Sequence, residues 1–224
     1  MVVPSSGQVP QELGAFIFSG GEPVNPEIVA LIPKNSLIIG ADSGVKHALD
    51  LGFTVAIAVG DFDSLAPEIL AQITAAGTKI EMHPPDKDAT DLELALDTAV
   101  RHGAKSITII GGHGGRLDHF LANAQLLGAK KFAATKIEAW FDTTRVTAIH
   151  DQAQVTGYPG AIISLITVGS PATGVTTTGL RFALKDAEIV AGATLGVSNE
   201  FISSRATVVI KTGTILAVQP DGLI

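Results

Sequence analysis

VAIAVGDFDSL, residues Val55 to Leu65, is a short apolar run that stops at Gly60 and delivers two carboxylates, Asp61 and Asp63, two positions apart. An unbroken apolar run of this length, closed by glycine, reads as a strand buried on both faces, the habit of a parallel sheet. Carboxylates crowded at the carboxyl end of such a strand repel one another unless a cation or solvent compensates them. A hard, oxygen-seeking ion such as Mg²⁺ suits that spot.

On either side the same pattern recurs. Strand-length apolar runs at Ala15 to Phe18, Leu37 to Ile39, Val55 to Val59, Lys79 to Met82, Ile107 to Ile110 and Lys136 to Phe141 alternate with helix-period segments. A helix over Asp91 to His102 opens with Thr90 and Glu93 at capping-box spacing and stops at Gly103. Another carries Leu117, Phe120, Leu121, Ala124 and Leu127 as an apolar stripe before Gly128. This βαβ alternation predicts a doubly wound parallel sheet with helices on both faces, its ligands at the carboxyl ends of the strands. Beyond Asp142 the pattern changes to short β-branched runs at Val146 to Ile149, Ala161 to Val168, Val175 to Thr178, Glu188 to Val190, Thr207 to Ile210 and Ile215 to Val218, separated by Gly, Pro and Ser. That is the pattern of a small β-sandwich. The fold class expected is α/β plus all-β, with an α/β nucleotide-binding domain over 11–142 and a β-sandwich over 143–224. No linker, low-complexity tract or internal repeat separates them, so the two are expected to pack together.

Composition narrows the function. A chain of 224 residues can bury roughly 70% of its unfolded surface. Hydrophobic residues make up 46% and mean hydropathy is +0.38, yet charges or glycines break every apolar run short of the roughly 18 residues that a membrane span needs. No membrane association is expected, and the short, uncharged Met1 to Gln11 reads as a frayed arm rather than a leader. The absence of cysteine excludes disulfides and thiolate chemistry and fits the cytoplasm. A net charge of −7 without a basic cluster argues against nucleic acid as a partner. Of the 22 acidic residues, 11 lie between Asp42 and Asp97, far more than solvated faces require.

Those acids fall at strand ends. Asp42 follows Leu37 to Gly40, Asp61 and Asp63 follow Val55 to Val59, and PPDKDATDLELAL (Pro84 to Leu96) brings Asp86, Asp88 and Asp91 after Lys79 to Met82. GGHGGRLDH (Gly111 to His119) follows Ile107 to Ile110 and sets Arg116 and Asp118 behind paired glycines. Gly20, Gly21, Gly111, Gly112, Gly114 and Gly115 permit close backbone approach, and helix N-terminal amides favour phosphate. Carboxylates for a metal, with Arg116 and amides for phosphate oxygens, describe a nucleotide·Mg²⁺ site. Neither a P-loop nor a dinucleotide fingerprint is present. Each group has a plainer reading as a turn, a helix cap at Asp88 or Thr90, or a surface ion pair at Arg116 and Asp118. The conjunction of four strand-end groups is what points to a site.

ADSG (Ala41 to Gly44), GDFDS (Gly60 to Ser64), PPDKDATDLELAL, GGHGGRLDHFLANAQLL (Gly111 to Leu127), VTTTGLRFAL (Val175 to Leu184) and LGVSNEF (Leu195 to Phe201) resemble, in order, the motifs of thiamine pyrophosphokinases. The resemblance implies a Rossmann-like nucleotide-binding domain joined to a β-sandwich, and a homodimer with sites at the subunit interface. It also implies transfer of the terminal diphosphate of ATP to the hydroxyl of thiamine, with release of AMP. Carried over by motif, Asp61, Asp63 and Asp91 hold Mg²⁺, and Lys87, Arg116 and Asp118 complete the catalytic set. Asp42, Gly44, Asp88, Thr90 and the glycines at 20, 21, 111 and 112 attend the nucleotide. Thr177, Thr178, Ser198 and Asn199 attend thiamine. The chain departs from the family where Ser43 to His47 replace a more usual GGANR, so that an Asn and an Arg contact are either absent or replaced by Lys46. Ile215 to Val218 is aliphatic, so Phe182 or Phe201 is the aromatic available for the cationic ring. The competing readings are a pyrophosphokinase for another alcohol, such as a hydroxymethyl pterin, and a non-catalytic nucleotide-binding protein.

Overall fold

The computed structural model describes residues 13–222, so the Met1 to Gln11 arm lies outside the described residues. Six parallel strands open the chain: β1 (Gly14–Ser19), β2 (Leu37–Ala41), β3 (Ile57–Gly60), β4 (Lys79–Met82), β5 (Ser106–Gly111) and β6 (Lys136–Phe141). Between them lie α1 (Gly44–Asp50), α2 (Pro67–Ala75), α3 (Asp91–Arg101) and α4 (Leu117–Leu126), with a 3₁₀ turn at Pro26–Leu31 and another at Lys130–Phe132. Then come β7 (Thr144–Ile149), β8 (Gln152–Thr156), β9 (Ile162–Thr167), β10 (Ala172–Thr178), β11 (Ala187–Ile189), β12 (Asn199–Glu200), β13 (Arg205–Val209) and β14 (Ile215–Gln219).

The strands form a ten-stranded sheet, β12-β9-β14-β7-β6-β5-β1-β2-β3-β4, and a four-stranded antiparallel sheet, β11-β10-β13-β8. Alternate residues of β1 show why its run is unbroken: Ala15 and Ile17 enter one core, Phe16 and Phe18 the other. Leu92, Ala95, Leu96 and Ala99 of α3 cover the first face, and Val45, Ala48 and Ile73 of α1 and α2 cover the second. Each such side chain contributes roughly 1.5–3 kcal/mol when fully buried if it is the size of valine or larger. A third core joins Ile149, Ile163, Leu165, Ile215 and Ala217 of the large sheet to Val175, Ala206 and Val208 of the small one.

The large sheet does not stop where the parallel strands stop. β6 pairs antiparallel with β7, so pairing continues without a break into the β-rich half. Within the parallel part, the chain runs from β1 outward to β4 and then returns to place β5 on the other side of β1. The strand order therefore reverses between β1 and β5, the kind of point beyond whose carboxyl ends open α/β sheets place their ligands.

Two strands were not anticipated. β8, QAQVT, buries only Val155, and β12 is two residues long, so neither carries the apolar signal used for the others. The apolar stripe of α4 is only half used. Leu127 is buried and Phe120 meets the Phe141 ring edge-on at 5.1 Å, while Leu117 and Leu121 stay 69% and 52% exposed. The first turn of α4 projects past the edge of the core it packs on.

Candidate active site

The acidic groups converge because neighbouring parallel strands end side by side. Ala41 of β2 is in register with Val59 of β3, and the Asp42 amide donates to the Val59 carbonyl at 2.9 Å, so Asp42 stands next to the Gly60 turn. Phe62 then takes φ +60°, a conformation costly for a bulky residue, and burial of its ring in the second core holds it there. Asp61 and Asp63 flank that anchor. The Asp63 amide donates to Asp61 Oδ1 at 3.3 Å, and one carboxylate oxygen each from Asp42, Asp61 and Asp63 lies within 4.8 Å of the others.

Asp91, the first residue of α3, closes the group from the other side. A Cβ at Gly60 would lie 3.2 Å from its Oδ1 and 3.3 Å from Asp42, so glycine there lets the two acids crowd the strand end. Lys87, 13% exposed, reaches in from the loop before α3. Its Nζ donates to Asp61 Oδ2 at 2.7 Å and lies 2.9 Å from Asp91 Oδ1, a charge contact outside hydrogen-bond alignment. Asp42 Oδ1 and Asp91 Oδ1 are both buried without a hydrogen bond. Burial, with the charges of Asp91 and Asp61, pushes the Asp42 carboxyl above its ordinary value, against the nearby polar groups of Ser43 and Ser64. The hydrogen bond from Lys87 holds Asp61 below the ordinary range.

The other predicted residues are distributed unevenly. Arg116 makes a bidentate pair with Asp118 at 3.2 and 2.5 Å on the surface, so Asp118 faces a cation of its own rather than the carboxylate group, and the guanidinium beside it lowers its pKa to about 2. Thr90 caps α3, its Oγ1 accepting from the Glu93 amide at 3.2 Å, and Asp88 is exposed. Gly44 seats α1 on β1, where a Cβ would lie 2.1 Å from the Phe18 carbonyl. Gly21, at φ +118°, packs on His113. Their close approach is to backbone at the β1 and β5 ends.

In the β-rich half, Thr177 and Asn199 are buried and their polar atoms already have partners. Thr177 Oγ1 accepts from the Leu184 amide at 2.8 Å. Asn199 Oδ1 accepts from the Phe182 and Glu200 amides at 3.0 and 2.9 Å, and its Nδ2 donates to the Phe182 carbonyl at 2.8 Å. Together they brace a loop that presents Phe182, 59% exposed, with the Arg181 guanidinium 5.4 Å from its ring. Thr178 and Ser198 remain on the surface. Of the two candidate aromatics, Phe201 is 1% exposed and belongs to the third core, which leaves Phe182.

Residues 28–140 match the family model for the thiamin pyrophosphokinase catalytic domain, and residues 148–215 match that for its vitamin B1 binding domain. The chain belongs to the thiamine pyrophosphokinase family. A thiamine pyrophosphokinase of Bacillus subtilis (strain 168) is 33% identical over 215 residues, covering 91% of this chain and 96% of its own. A crystal structure of thiamine pyrophosphokinase from Bacillus subtilis superposes with a TM-score of 0.81 at 31% identity, covering 92% of this chain and 98% of that one. The structure of thiamin pyrophosphokinase from Geobacillus thermodenitrificans gives 0.79 at 31% identity, with 92% and 97% covered. On this chain the thiamine pyrophosphokinase catalytic match contains Asp42, Asp61, Asp63, Lys87, Asp91 and Arg116, and the vitamin B1 binding match contains Thr177, Thr178, Ser198 and Asn199. Gly20 and Gly21 precede both.

The grouping of Asp42 with Asp61 and Asp63 was less legible than the GDFDS pair. The sequence puts it 19 positions upstream, and only the in-register pairing of β2 with β3 brings it alongside.

Proposed function

We propose that this chain transfers the terminal diphosphate of ATP to the hydroxyl of thiamine, producing thiamine diphosphate and AMP. The observation that carries the reading is the convergence of Asp42, Asp61 and Asp63 at the ends of β2 and β3, with Lys87 and Asp91 beside them. This all-oxygen set, with a buried and unpartnered Asp42 Oδ1, fits Mg²⁺. Asp61 and Asp63, with Asp42 and Asp91 adjoining, are the residues that would hold it. The ion, when bound, would neutralise charge on the phosphates.

The chain's own groups supply the rest. Attack by a weak alcohol on phosphorus depends on in-line placement and charge compensation more than on a strong base. Lys87 and Arg116 are cations for phosphate oxygens, and Gly111, Gly112 and the amides at the α3 and α4 N-termini lie along the same strand ends. A carboxylate, Asp61 or Asp91, takes the proton from the thiamine hydroxyl as its oxygen bonds to the β-phosphorus and the bond from that phosphorus to the α,β-bridging oxygen breaks, releasing AMP. Excess negative charge at this rim also suits a substrate with a permanent thiazolium cation.

The architecture is read as a doubly wound domain over 11–142 and a β-sandwich over 143–224, supported by cores on both faces of the parallel strands and a third core between the two sheets. A homodimer with shared sites is what the family resemblance implies, and exposed Leu117 and Leu121 on α4 offer an apolar face for a second copy. No helix among the described residues is long and apolar enough to cross a membrane. A cytoplasmic location suits a reaction that consumes ATP.

Incubating purified protein with ATP, Mg²⁺ and thiamine, and separating the products, tests the reading. AMP and thiamine diphosphate in equal amounts are expected, with no AMP when a hydroxymethyl pterin replaces thiamine. Formation of ADP would overturn the reaction class.

A further inference from the structure

We propose that Lys87 is a displaceable stand-in for the divalent cation: its ammonium closes the carboxylate site in the unliganded protein and leaves for the phosphates when a metal-nucleotide complex arrives. This rests on the reading of the carboxylates as a metal site. Lys87 Nζ sits between Asp61 Oδ2 at 2.7 Å and Asp91 Oδ1 at 2.9 Å, carboxylates from elements that only the fold brings together. Asp91 Oδ1 is closed to solvent in this arrangement. An incoming ion therefore cannot use that oxygen until the ammonium moves.

Charge explains why the lysine is there. Asp42, Asp61, Asp63 and Asp91 crowd one strand end, and Lys87 is the cation that the structure places on two of them. Without it the site would hold four acids against one another, a cost to folding that the ammonium offsets. The same ammonium repels a second cation at close range, so free divalent ions bind weakly. A triphosphate changes the balance by offering Lys87 new anionic partners just as its metal takes the carboxylates. The exchange removes one positive charge and brings in two. Lys87 thereby favours metal that arrives with nucleotide over metal that arrives alone.

The test is Mn²⁺ binding to nucleotide-free protein, with free ion measured by electron paramagnetic resonance, in wild type, Lys87→Met, Lys87→Gln and Lys87→Arg. Circular dichroism identifies the folded variants, and either neutral variant suffices. The neutral variants are expected to bind Mn²⁺ at least about tenfold more tightly than wild type, and Lys87→Arg to stay as weak as wild type. Equal affinity in wild type and the neutral variants would overturn the stand-in role while leaving the metal site intact. Tight binding by Lys87→Arg would overturn it as well, by showing that charge is not the cause. Failure of every protein to bind Mn²⁺ would sink the metal reading together with the inference.

Discussion

Asn199 shows what a motif conveys at the scale of one residue and what it omits. SNEF names the residue types proposed to attend thiamine, but not which of their atoms the fold has already used. Here both ends of the Asn199 amide hold the Phe182 backbone. Asn199→Ala removes the side-chain partner of the Phe182 and Glu200 amides and of the Phe182 carbonyl, and is expected to lower stability by about 1–3 kcal/mol in urea unfolding. Because the loss frees the loop that carries Phe182, KM for thiamine should rise more than KM for ATP. An unchanged ratio of the two would place Phe182 away from the acceptor. Asp63 is the opposite case. It is exposed, among the described residues its carboxylate accepts only from the adjacent Ser64 hydroxyl at 2.9 Å, and its place in the strand-end group was plain from GDFDS.

Elements were legible wherever burial left a periodic signature. β6 runs over Lys136–Phe141 as read, and Thr90 caps α3 as its spacing indicated. β8 escaped because a strand that buries one side chain is indistinguishable from a loop by apolar pattern. The seam between β4 and α3 was also invisible, since ion pairs between distant residues leave no local trace. Glu81 of β4 takes a hydrogen bond from Thr98 at 2.7 Å and ion pairs from Lys79 and Arg101. Burial opposes its ionisation, but these partners outweigh burial and hold its pKa at about 2 against an ordinary 4.5. With the folded value depressed, the contribution is present in full above the ordinary value and disappears as pH falls toward 2. Its ceiling is about 3 kcal/mol, less after screening of the exposed Lys79 and Arg101. Glu81→Gln should therefore cost stability near neutral pH and little near pH 2, measurable as converging denaturation curves.

At the scale of the whole molecule, the change from βαβ to β-branched pattern near Asp142 located the shift in strand direction, but not the continuity of one sheet across it. Register between β6 and β7 is set by the tight turn at Asp142, φ +55°, and not by any apolar run. Quaternary arrangement was likewise beyond the chain's own pattern. If Leu117 and Leu121 are covered by a second copy, Leu121→Glu should shift sedimentation from dimer toward monomer, and an unchanged profile would move the interface elsewhere. The account as a whole depends on carboxylates from separate strands acting as one cation site beneath the phosphates. Turnover of Asp63→Asn, measured beside its thermal unfolding, tests this most directly. The account predicts a loss of at least about 100-fold with the unfolding midpoint moved by less than about 2 °C, and near-normal turnover by a folded variant would contradict it.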